Sequence, residues 1–64
     1  MQARLASIRQ HIQEAQRYAK ELADLCGQTG NSDYIYRADD IELALGWTDR
    51  KAADFQAVIP SSQP

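Results

Sequence analysis

Apolar and small residues recur at alternating spacings of three and four along both halves of this chain, and the two halves mirror each other about Gly30. Met1, Leu5, Ile8, Ile12, Ala15, Ala19, Leu22 and Cys26 run down the first half. Tyr34, Ala38, Ile41, Leu45, Thr48, Ala52, Phe55 and Ile59 run down the second. That spacing belongs to a coiled-coil seam rather than to the broader apolar face of a globular helix. With Leu5 at an a position, Tyr34 falls at d, so a fold at Gly30 joins an a residue to a d residue in every layer, as antiparallel pairing requires. Facing positions also differ in bulk: Ala19 meets Ile41, Leu22 meets Ala38, Ala15 meets Leu45 and Ile8 meets Ala52, so large side chains can interdigitate with small ones. The expected fold is all-α, an antiparallel helical hairpin in the form of a two-helix coiled coil.

Local chemistry sets the expected boundaries. Residues 2–26 are rich in Ala, Leu, Gln, Arg, Lys and Glu and hold no Gly or Pro, which predicts a first helix over that stretch. Gly27 can take the left-handed conformation that closes a helix, so 27–32 is predicted as the turn. Asn31, Ser32 or Asp33 can accept the first free amides of a second helix over 33–59, and Asp33 and Arg37 form an i, i+4 pair in the favourable order. Gly46 is unfavourable inside a helix, yet the seam keeps its phase through Leu45, Thr48, Ala52 and Phe55, so the second helix is predicted to continue, with a bend at most. Pro60 ends it, and residues 60–64 are predicted to be a disordered tail after a hairpin domain spanning 1–59.

A hairpin of this size buries little. Sixty-four residues make one domain at most, and two helices share a single seam, so a staple is expected: a disulfide, a metal or association. One cysteine and one histidine supply neither an intramolecular disulfide nor a structural zinc set. Association remains, most simply as a homodimer forming a four-helix bundle. Cys26 then reads as a small hydrophobe at the end of the seam. A net charge of −2 provides no general attraction to nucleic acid or to an anionic membrane. There is no apolar run long enough to span a bilayer and no basic start with an apolar stretch, so the expected setting is the cytoplasm.

The two helices differ in their outer surfaces. Gln10, Arg17 and Asp24, farthest from the seam on the first helix, are polar. The second helix carries Tyr36 and Leu43 there, with Trp47 and Arg37 close by, and Tyr18 and Leu25 on the first helix are expected to extend the stripe. Aromatic residues and Arg are the types that most often anchor interfaces, so Tyr18, Leu25, Tyr36, Arg37, Leu43 and Trp47 are the candidate contact residues, for a dimer mate or for a different protein.

Catalytic equipment is missing from the pattern. His11 and Cys26 lie about four turns apart on one helix and cannot meet within a protomer. Asp39, Asp40 and Glu42 fan around the second helix instead of converging on a metal or forming an acid/base pair. No catalytic, cofactor-binding or metal site is expected. Residues 41–58, with Gly46, Trp47 and Thr48 before a further helical stretch, superficially resemble a DNA-binding helix-turn-helix. Glu42 departs from that pattern, standing where a small packed residue belongs. Asp49 and Asp54 also offset Arg50 and Lys51 in the would-be recognition helix. RNA binding on the face of a four-helix bundle would rest on architecture alone, since no local motif supports it. The leading functional reading is a non-enzymatic interaction module, a regulator or inhibitor of a larger protein, of the kind that phages and mobile elements carry. A helix-turn-helix regulator is the alternative.

Overall fold

A computed structural model, describing residues 1–60, shows two helices packed side by side in antiparallel order, with no strand among the described residues. The first, α1, runs Gln2–Thr29 and the second, α2, runs Ser32–Val58. The hairpin is a rod measuring 55 × 15 × 10 Å. Residues 61–64 of the expected tail lie outside the described residues.

The reversal is tighter than the sequence suggested. The Gly27 backbone stays helical, and α1 continues for two more residues; the left-handed position is Gly30, at φ 69°. Thr29 explains the difference. Its hydroxyl donates to the Cys26 carbonyl at 2.6 Å and accepts from the Asn31 amide at 3.1 Å, so one side chain secures the last turn and the exit from it. The Gly30 amide donates to the Gly27 carbonyl. Asn31 then caps α2, its side-chain oxygen accepting from the amides of Asp33 at 3.0 Å and Tyr34 at 3.2 Å. Only Gly30 and Asn31 separate the helices, where a turn over 27–32 was expected. Helix α2 passes through Gly46 unbroken, as the phase of the seam predicted. It ends with Ile59 extended before Pro60.

The buried residues are Leu5, Ile12 and Ala19 on α1 and Ala38 and Ala52 on α2, with Ala38 the most enclosed at 2% exposure. Cys26, Leu45 and Ile59 extend the same columns, half-buried. A second, partly covered column lies on one side of them: Gln2, Arg9, Gln16 and Ala23 on α1, with Ile35, Glu42, Asp49 and Gln56 on α2. Three of the five buried residues are alanines, and the polar side chains of the second column flank them half-buried. Arg9 ties this side together, donating to Asp49 from Nε and Nη2 and to Gln56 Oε1 from Nη1 at 2.9 Å.

The remaining half of the expected seam is not enclosed. Ile8 is 48% exposed, Ile41 45% and Phe55 50%; Met1, Leu22 and Tyr34 are also exposed. The physical reason is geometric. Two cylinders touch along a line, but the a/d stripe is two columns wide on each helix. Here the contact falls between the Leu5–Ile12–Ala19 column and the polar column carrying Arg9 and Gln16. The pairs Ile8 with Ala52 and Leu22 with Ala38, expected as closed core layers, therefore each leave their large member half outside.

Candidate functional site

Helical phase sorts the exposed apolar residues onto two separate surfaces. Measured from the buried column of Ala38, Leu45 and Ala52, the residues Tyr36, Leu43 and Arg50 lie roughly opposite the hairpin contact, and Trp47 lies beside them. This outer face of α2 is well exposed, Leu43 at 64% and Trp47 at 59%. Gly46 lies between Leu43 and Trp47 in the chain, and these three residues with Arg50 line a shallow groove. The Arg50 guanidinium carbon stands 5.4 Å from the Trp47 ring centroid, a cation–π arrangement that holds the indole against the helix.

The other named residues fall elsewhere. Arg37 sits at the edge of α2, where its Nε donates to Asp33 Oδ2 at 3.0 Å across one turn, a solvent-exposed pair. Tyr18 and Leu25 are exposed on α1, one helical position beyond the column of Ile8, Ala15 and Leu22. Arg17 stacks on Tyr18 at 5.2 Å from its centroid. Tyr18 and Leu25 thus border the open flank of the seam and not the Trp47 groove. Tyr36, Leu43 and Trp47 share the outer face of α2, and Arg37 stands apart from both surfaces.

Two members of the groove, Gly46 and Arg50, are not among the six candidate contact residues. Gly46 had left a signal, its helix-propensity cost, but that cost bore on whether α2 breaks and not on what the vacated volume is for. Arg50 is legible only with α2 continuous, since three residues along a helix bring it over Trp47.

Elsewhere the polar groups are accounted for locally. His11 Nδ1 lies 3.2 Å from Glu14 Oε1 on the exposed side of α1. Cys26 is a half-buried free thiol. No three His, Cys, Asp or Glu side chains among the described residues are placed to share a metal ion. Thr48 donates to the Ala44 carbonyl at 2.8 Å, a bond within α2 rather than the cap of a new helix. Residues 41–58 therefore contain no turn of the helix-turn-helix kind. No helix among the described residues is long and apolar enough to cross a membrane. Comparison of the chain with protein-family models, curated proteins and solved structures finds no match.

Proposed function

We propose that this chain is a small non-enzymatic protein-interaction module that works as a homodimer in the cytoplasm and regulates or inhibits a larger protein gripped by the outer face of α2. The observation supporting this reading is Gly46. Glycine inside a helix costs about 1 kcal/mol relative to alanine. Yet beyond its chain neighbours and the local helix backbone, nothing in the hairpin lies within 4 Å of the place a Cβ would occupy. The fold gains nothing from the missing side chain. A partner does gain, because a side chain or backbone segment can approach the helix between Leu43 and Trp47, with Arg50 alongside. Trp and Arg around a shallow groove are residue types enriched at interface hot spots. The net charge of −2 and the unbroken α2 weigh against a role on nucleic acid.

The test is affinity capture from the native host on immobilised protein, followed by mass spectrometry and titration of the captured partner. Trp47→Ala and Gly46→Leu are each expected to abolish capture while leaving the helical circular dichroism intact. Capture by both variants at the wild-type level would remove the outer face of α2 from the function.

A further inference from the structure

The open flank of the seam is a second, independent surface. On α1 it presents Ile8, Ala15 and Leu22, and on α2 Ile41, Thr48 and Phe55, each set spaced by sevens and so running straight along the rod. None of the six is ionisable, whereas the opposite flank carries Arg9, Glu42 and Asp49. We infer that this flank is the face on which a second copy of the chain docks, closing a four-helix bundle. The inference rests on the homodimer part of the preceding reading and not on the larger partner.

Three observations support a second copy over any other occupant. The first is an internal symmetry. On each helix a small residue is flanked by two large ones, Ala15 between Ile8 and Leu22, Thr48 between Ile41 and Phe55. With the reversal at Gly30–Asn31, Ala15 and Thr48 stand within one helical turn of each other along the rod. A two-fold axis lying in the face near that height brings Ile8 of one copy to Leu22 of the other and Leu22 to Ile8, the reciprocal contacts of an isologous interface. The second is area. The paired helices are about 42 Å long at 1.5 Å per residue, so a face of that length and the 15 Å width of the hairpin offers about 600 Å² per partner at most, the lower end of the range for a stable specific interface. The third is need. With only Leu5, Ile12, Ala19, Ala38 and Ala52 buried among the described residues, one hairpin lacks the core to hold itself, and the bundle brings the other half of the a/d stripe inside.

The experiment combines sedimentation equilibrium with thiol labelling of single-cysteine variants in a Cys26→Ala background. Wild-type protein is expected to sediment at twice its 7.2 kDa chain mass at micromolar concentration. Maleimide labelling of Ala15→Cys and Thr48→Cys is expected to slow by roughly tenfold or more as protein concentration crosses the dissociation constant, with Leu43→Cys unaffected. Both substitutions are small for small, so the readout does not depend on a charge that unfolds the chain. A wild-type monomer would overturn the inference, as would a dimer that protects Leu43→Cys but not Ala15→Cys. Protection of Ala15→Cys only on adding phosphatidylglycerol vesicles would assign the face to a membrane instead. Loss of capture by Trp47→Ala, with the dimer intact, leaves the two surfaces independently scored.

Discussion

Arg9 on α1 grips Asp49 on α2 with both ends of its fork, Nε to Oδ1 at 3.1 Å and Nη2 to Oδ2 at 3.3 Å. The two residues are 40 positions apart in sequence, and each keeps under a third of its side-chain surface in water. A bidentate pair of this kind fixes geometry as well as charge. It pins the two helices to one height and one rotation.

Removing either partner should therefore loosen register. Asp49→Ala is expected to lower Tm by a few degrees, and the reversed pair, Arg9→Asp with Asp49→Arg, to recover part of the loss in thermal melts. The hydrogen bonds and charge of Asp49 raise the Arg9 pKa above its ordinary value. A raised pKa in the folded state means the contribution is complete below the ordinary arginine range and is lost only as pH climbs through the raised value. Melts across the neutral and mildly alkaline range should show no loss from Arg9.

Gly46 and Gly30 are expected to respond to alanine in opposite directions. At Gly46 the new methyl meets nothing, so Gly46→Ala should stabilise by about 1 kcal/mol in urea unfolding. At Gly30, φ 69° is left-handed, and Gly30→Ala should destabilise by about 1 kcal/mol. Equal responses at the two sites would contradict the placement of the turn.

Asn31→Ala should cost about 1 kcal/mol, since two amides of the first turn of α2 lose their acceptor together. Asn31→Asp should retain most of the cap and add a charge favourable at a helix N-terminus. Urea midpoints of the two variants compare them directly.

Ala38 is the most enclosed of the buried residues. Ala38→Leu is expected to force them apart and to destabilise by roughly 1–3 kcal/mol, read as a lower urea midpoint. Trp47→Ala, by contrast, should change stability by no more than about 0.5 kcal/mol, because the hairpin does not enclose the indole.

The heptads carried the hairpin, the continuity of α2 and the cap region into the sequence, because period and phase survive without knowledge of contacts. Side-chain hydrogen bonds do not announce themselves in that way. Thr29 moved the turn from Gly27 to Gly30, and Arg9 drew a polar column into the contact, neither of which a hydrophobic pattern encodes. The same pattern also could not divide an a/d stripe between an inner and an outer surface, since both columns read as equally apolar. As a result Ile8, Leu22, Ile41 and Phe55 read as core, while Tyr18 and Leu25 were grouped with a groove on the other helix.

The two-residue link at Gly30–Asn31 has a kinetic side. Cys26 and Ile35 are brought together by closing a very short loop, and each further turn of pairing toward Leu5 and Ile59 adds a contact without a new search. A hairpin built this way closes like a zip from one end. Substitutions at Gly30 and Asn31 are therefore expected to act on the rate of closing, and those at Leu5 or Ile59 on the rate of opening, as separate arms of a stopped-flow chevron.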